Sequence, residues 1–220
     1  MERAAQIRQT GGPDVIAWTD VELTAPGPGE VRMRNLAVGL NFIDTYHRGG
    51  LYPMALPSGL GMEAAGIIDA VGDGVTDWRV GDRVASFPGH NANRYPAYAE
   101  QVVLPRSSLT RYPDNLTPQQ ASVHYVPSLV GWLGFVELAN LQPGETVLVT
   151  AASRCWGPYI VQMGKALGAH VIAATAYAEE PGFFRLIKIR KVIKKWHQLS
   201  SIGAIWLCDG DRTNFNIIFG

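Results

Sequence analysis

A chain of 220 residues that is 47% hydrophobic and 17% charged has the profile of a soluble globular protein with a substantial core, which excludes disorder over its whole length. Two cysteines, Cys155 and Cys208, exclude a disulfide framework, no Cys/His cluster has zinc-site spacing, and no stretch reaches the ~20 apolar residues of a membrane span. Net charge is zero but unevenly spread: residues 1–182 hold 12 basic and 17 acidic side chains and residues 183–220 hold 7 and 2, a body of −5 and a tail of +5. The basic tail is read as a solvated helix face rather than a nucleic-acid or membrane contact. The first residues lack the apolar core of a secretory signal, so a cytoplasmic location is expected.

In chain order, residues 13–38 read as a hairpin: residues 15–23 are apolar with scattered polar positions, Pro26-Gly27-Pro28-Gly29 turns the chain, and residues 31–38 return. The alternation slips at Asn35 and Leu36, which predicts a bulge. Asn41 can cap a short helix over residues 42–48 that Gly49 and Gly50 stop. The glycine-punctuated stretch 58–84 predicts strands at 64–71 and 80–84. Residues 86–96 read as a loop and 98–104 as a further strand, so the chain up to about Ser108 is a compact β structure.

At 116–120 the pattern changes to helices: Thr117 suits an N-cap, Pro118 the first helical position, and Gln120 can reach back in a capping box. Pro127 is expected to bend or split a helical stretch that resumes to about Ala139. Residues 142–145 then turn the chain into a strand over 146–151, followed by a helix over 159–167 stopped by Gly168 and a second strand over 170–175. Strand, turn, helix and strand make a βαβ unit whose two strands are parallel neighbours. Further on, residues 185–199 carry Leu186, Ile189, Val192, Ile193, Trp196 and Leu199 between lysines, an amphipathic helix pattern, and residues 202–208 suit a strand. The fold class is α/β with a large β part.

A dinucleotide site needs small residues between the first strand and the helix, so that backbone N–H groups and the helix N-terminus can approach a pyrophosphate. The turn here reads Ala151-Ala152-Ser153-Arg154-Cys155-Trp156-Gly157-Pro158. Taken alone it supports cofactor binding and a merely structural turn equally.

Several ordered segments carry a family resemblance. Residues 37–46 (AVGLNFIDTY), Leu51-Tyr52-Pro53 and residues 59–66 (GLGMEAAG) come first. Val80-Gly81-Asp82-Arg83-Val84, Ala97-Tyr98-Ala99-Glu100, Leu141-Gln142-Pro143-Gly144 and Gly164-Lys165-Ala166-Leu167-Gly168-Ala169 follow. Together they resemble the zinc-independent quinone oxidoreductases of the medium-chain dehydrogenase/reductase superfamily, over roughly residues 1–180. The resemblance implies a GroES-like β domain (1–125), an incomplete Rossmann βαβ unit (126–180) and a divergent segment (181–220), the chain carrying only the opening part of the cofactor domain. It also implies NADPH and a small-molecule substrate meeting in the cleft between the two domains.

The same resemblance implies site residues. Asn41 and Met62 stand where zinc-dependent alcohol dehydrogenases carry a cysteine and a histidine ligand, so no zinc is expected. Glu63 is read as the buried partner of a basic group. Without zinc, charge developing on a carbonyl or quinone oxygen must be met by hydrogen-bond donors, for which Asn41, Tyr46 and Tyr52 are the catalytic candidates. The cofactor-binding candidates are Asn41, Asp44, Ala151, Ser153, Arg154, Gly157 and Thr175. A plainer reading of the same positions has Asn41 capping the helix, Asp44 in its first turn and the tyrosines packing with their tips exposed.

Two residues depart from the family's turn: Arg154 replaces a glycine and Trp156 a small aliphatic residue. Arg154 can pair with a phosphate or obstruct it. The second strand ends in Ala173-Ala174-Thr175-Ala176 without the acid that holds an NAD ribose, in line with NADPH, and Tyr177 stacks on adenine or is a surface tyrosine. Two functions stay open: an NADPH-dependent oxidoreductase passing hydride to a quinone, enone or related carbonyl, and an inactive truncated homologue serving as an interaction module or remnant. A homodimer is open to either.

Overall fold

The computed structural model describes residues 2–22, 24–89 and 93–175, and beyond them the backbone of three strands. Tyr177, and all of the segment 181–220 outside those strands, lie outside the described residues. The chain divides into two units, Met1–Val126 and Pro127–Gly220.

In the first unit the strands are β1 (Glu2–Ile7), β2 (Ala17–Val21), β3 (Glu30–Gly39), β4 (Ser58–Gly59), β5 (Glu63–Val71), β6 (Arg83–Ser86), β7 (Gln101–Pro105) and β8 (Leu109–Thr110). They form two antiparallel sheets, of order β2-β1-β4 and β7-β3-β5-β6-β8. β5 is buried on both faces. Ala64 and Ile68 join the cluster of Val31, Met33, Trp78, Val84 and Leu104, while Ala65 packs with Ala85, Tyr112 and Ala121 on the other side. That two-sided burial explains its run of small and apolar residues.

The hairpin expected over residues 13–38 is not formed. β2 pairs with β1, Trp18 opposite Ala5, whereas β3 pairs with β5 and β7 in the other sheet. The Pro-Gly turn between them hydrogen-bonds across to the 72–73 turn, Gly29 N–H to the Asp73 carbonyl at 2.8 Å and Gly72 N–H to the Glu30 carbonyl at 2.8 Å. A turn whose donors are spent on another turn does not close a two-strand ladder. The amino terminus, read only for a signal, supplies the partner strand. The bulge is where the alternation slips: Asn35 faces Gly66 and Ala37 faces Ala65, leaving Leu36 unpaired. Val80–Asp82 belong to a turn and the strand begins only at Arg83; likewise β7 begins at Gln101 rather than Tyr98.

Helix α1 (Phe42–Gly49) starts at Asn41 and ends with Gly50 in the left-handed region at φ 83. Helix α2 (Pro118–Ala121) has the full capping box, Thr117 N–H donating to Gln120 Oε1 at 2.9 Å and Gln120 N–H to Thr117 Oγ1 at 3.2 Å. The chain turns at Ser122–His124, ahead of Pro127, and α3 (Tyr125–Trp132) follows. Pro127 lies in the first turn of α3, where a missing N–H has no helical partner to lose, so it does not break the helix. A π-helical turn over Leu133–Leu138 continues the stretch to Ala139.

In the second unit, β9 (Thr146–Val149) and β10 (His170–Thr175) are parallel neighbours joined by α4 (Gly157–Ala166). Val147, Val149, Val171 and Ala173 from the strands meet Phe135, Ile160 and Val161 from the helices in one core. Phe135 is fully buried, worth about 2–3 kcal/mol of apolar burial on its own.

Three further strands complete a five-stranded sheet of order β11-β10-β9-β12-β13, with β11 (Lys191–Lys194) parallel to β10. β12 (Ala204–Cys208) and β13 (Phe215–Phe219) form an antiparallel hairpin whose first strand runs antiparallel to β9. The expected helix over 185–199 is thus corrected at Lys191–Lys194, which is strand. Val192 and Ile193 are β-branched, and the open edge of β10 offers them a ladder that no isolated helix could match. β11, β10 and β9 make the 3-2-1 half of a doubly wound sheet.

Candidate functional site

Asn41 stands where β3 has ended at Gly39 and α1 begins. The Asp44 carboxylate, one turn on, accepts the Asn41 backbone N–H at 2.8 Å and ties down the helix start. The Asn41 side chain reaches across to β5, where its Nδ2 donates to Glu63 Oε1 at 3.0 Å. Gly39 makes the room for this contact: a Cβ there would stand 2.1 Å from the Ser122 carbonyl oxygen and 2.7 Å from Glu63 Oε1.

Glu63, 1% exposed, faces Gly39 in the strand register, and its second oxygen accepts the Val126 N–H at 3.2 Å. Burial pushes its carboxyl up to about 7; the bonds from Asn41 and Val126 pull the other way, and the charge of Asp44 adds to the rise. The expectation of a basic partner is corrected: among the described residues no ion pair involves Glu63, and an amide and a backbone N–H take that place. Those two donors satisfy the oxygens without importing a second charge to desolvate.

Asp44 is 4% exposed, and its Oδ2 also accepts the Tyr98 phenol at 2.6 Å. Burial raises its proton affinity, against the bonds from Tyr98 and Asn41. Its carboxylate therefore faces the protein, as a support for Asn41 and α1. Tyr98 itself is raised by burial first and then by Asp44. Tyr46 and Tyr52 meet edge to face with ring centres 5.4 Å apart, and are 38% and 47% exposed. The same stretch leaves Leu40, Phe42 and Leu51 exposed.

The candidates of the second unit gather at the carboxyl ends of β9 and β10. Ala151 enters the turn at φ 49, the Ala152 N–H donates to the Ala174 carbonyl at 3.0 Å, and the Ser153 and Thr175 hydroxyls lie 2.7 Å apart. Inside the turn, Arg154 N–H donates to the Ala151 carbonyl at 3.1 Å and Gly157 N–H to the Arg154 carbonyl at 2.9 Å. A Cβ on Gly157 would lie 2.3 Å from the Ala151 carbonyl oxygen, so the close approach of α4 to the turn requires glycine. The two departures point in opposite directions: Trp156 is half-buried against the core and Arg154 is exposed.

Sequence reasoning overlooked Tyr98 and gave Glu63 the wrong partner. The tyrosine lay within a quoted motif, but nothing local marks a phenol that meets a carboxylate on a distant helix.

Comparison with known proteins bears on the fold and ancestry of the chain. Residues 27–114 match the family described as alcohol dehydrogenase GroES-like domain. The quinone oxidoreductase of Pseudomonas aeruginosa is 38% identical over 213 residues, covering 96% of this chain and 64% of that protein. That alignment runs past residue 180. A quinone oxidoreductase structure from Pseudomonas syringae pv. Tomato DC3000 matches with a TM-score of 0.80 and 40% identity, over 90% of this chain and 60% of that one. An Escherichia coli quinone oxidoreductase structure described as complexed with NADPH matches with a TM-score of 0.77 and 31% identity, over 87% and 58%. The chain thus spans about three fifths of the length of these relatives. In sequence over nearly all of its own length, and in fold, the chain is a homologue of the quinone oxidoreductases of the medium-chain dehydrogenase/reductase superfamily.

Proposed function

We propose that the chain binds NADPH at the turn after β9 and serves an oxidoreductase that reduces a quinone, enone or related carbonyl compound without zinc. The observation that carries this reading is the Ser153–Thr175 pair, two hydroxyls meeting at the carboxyl ends of adjacent parallel strands. Open α/β sheets take dinucleotides at such a place. The residues present fit the cofactor: Gly157 keeps the turn tight, Ala151 keeps it small, and Arg154 offers exposed positive charge for a phosphate. A hydroxyl residue where an NAD site has an acid favours a phosphorylated ribose.

NADPH supplies the hydride when bound. The chain's own part is to meet the charge that grows on the substrate oxygen through the Tyr46 and Tyr52 phenols, while Asn41, whose Nδ2 donates to Glu63, offers its Oδ1 to a donor on the cofactor or substrate. Asp44 works on the cofactor side by holding Asn41 rather than by contact. Asn41 and Met62 occupy the positions where zinc enzymes of the superfamily carry ligands, so hydrogen bonding stands in for the metal, and solvent returns the proton.

Titrating the purified chain with NADPH, followed by the fluorescence of the reduced nicotinamide, tests the reading. Saturable enhancement is expected; none at millimolar protein overturns it. One observation favours a second reading, a non-catalytic interaction module. β12 lies antiparallel beside β9, on the flank where the doubly wound order would set a fourth parallel strand. On that reading the chain melts cooperatively yet gives no saturable NADPH signal.

A further inference from the structure

We propose that Glu63 is a positioning residue, whose carboxylate holds the Asn41 carboxamide in one orientation and so decides which of its ends meets a ligand. The inference rests on the reading of Asn41 as a contact for NADPH or substrate.

An ionised carboxylate only accepts hydrogen bonds, so the nitrogen end of Asn41 must face it. Glu63 is in turn unable to rotate freely. Its Oε2 is claimed by the Val126 N–H, a backbone donor at 3.2 Å, and its Cγ lies where a Cβ on Gly39 would come within 2.6 Å. The chain of constraint runs from α3 and β3 through Glu63 to Asn41, and ends on a half-buried amide.

The titratable groups facing Glu63 are Asp44, on α1, and Tyr98, ahead of β7; both work against its ionised form or are themselves raised by it. A buried acid beside a second acid, with no ion pair to a cation among the described residues, is a poor choice for stability alone. A role through Asn41 accounts for its presence.

Glu63→Gln is the informative change because it keeps the size and removes the charge. Glutamine has one acceptor, which the fixed Val126 N–H takes, so its NH2 is left facing the NH2 of Asn41. Two donors in opposition force the Asn41 amide to turn over. The variant should therefore fold at least as stably as the parent at pH 8 while binding NADPH about tenfold more weakly, the scale of one misdirected hydrogen bond.

Two readouts on the full chain decide it. The side-chain NH2 signals of Asn41 in a 15N–1H spectrum should move in Glu63→Gln; unmoved signals overturn the inference. In a double-mutant cycle, Glu63→Gln should cost about tenfold in NADPH affinity beside Asn41 and nothing beside Asn41→Ala, and an equal loss in both backgrounds overturns it. If Asn41→Ala alone leaves NADPH affinity unchanged, the ligand contact of Asn41 falls, while its signals in Glu63→Gln still report whether Glu63 holds it.

Discussion

The Tyr98 phenol donates at 2.6 Å to Oδ2 of Asp44, a buried carboxylate whose other oxygen has no hydrogen-bond partner among the described residues. One hydroxyl from the segment before β7 therefore carries much of the solvation of an acid at the start of α1. It joins the second half of the first unit to the residue that places Asn41.

Tyr98→Phe removes that hydroxyl and leaves Asp44 with the Asn41 N–H alone. Loss of a buried partner to a charged group should lower stability by about 1–3 kcal/mol. The loss should be larger at pH 8 than at pH 5, because burial has already raised Asp44 and the phenol favours its ionised form. Urea unfolding at the two pH values measures this, and equal losses would contradict it.

Glu63 makes stability depend on pH in an unusual direction. A carboxyl raised from 4.5 to about 7 binds its proton in the folded state while the unfolded chain has already released it. Stability is then fully present below about pH 4.5 as far as this group is concerned, falls as pH rises towards 7, and stays low above it. The full span is on the order of 3 kcal/mol. The urea midpoint of the parent should decline from pH 5 to pH 8, and Glu63→Gln should flatten that decline.

Gly157→Ala sets a methyl group 2.3 Å from the Ala151 carbonyl oxygen, a backbone atom that cannot swing aside. Overpacking of this kind costs about 1–3 kcal/mol and displaces the turn. Both a lower melting temperature and loss of the NADPH fluorescence signal are expected; a variant that binds as tightly as the parent would separate the cofactor site from this turn.

Arg154→Gly introduces the glycine that the family resemblance implies at this position. Arg154 is exposed, and its removal should weaken NADPH binding by about tenfold at low salt and by less at high salt, as expected for a charge facing a phosphate. Tighter binding would mean that the side chain obstructs.

What was legible in the sequence was local. Thr117 and Gln120, or Asn41 and Asp44, lie three residues apart, and their capping bonds follow from chemistry within one turn of helix. β9, α4 and β10 follow one another directly, so a run of apolar residues and a turn define them. Pairing choices were not legible: that Trp18 faces Ala5, or that Glu63 reaches Val126, depends on segments far apart in the chain. The lysine-flanked Val192-Ile193 pair shows the same limit, since helical spacing was outweighed by a neighbour strand. Ser153 and Thr175 were each nameable from position, but their meeting at 2.7 Å required the parallel register.

The antiparallel seating of β12 on β9 has a consequence for how the chain comes off the ribosome. β9 gains β10 soon after synthesis, but its other edge waits for Ala204–Cys208, and Val147, Leu148 and Val149 remain an unpaired, strand-prone edge in the meantime. Nascent chains halted before that hairpin should be the ones that clump or call on chaperones.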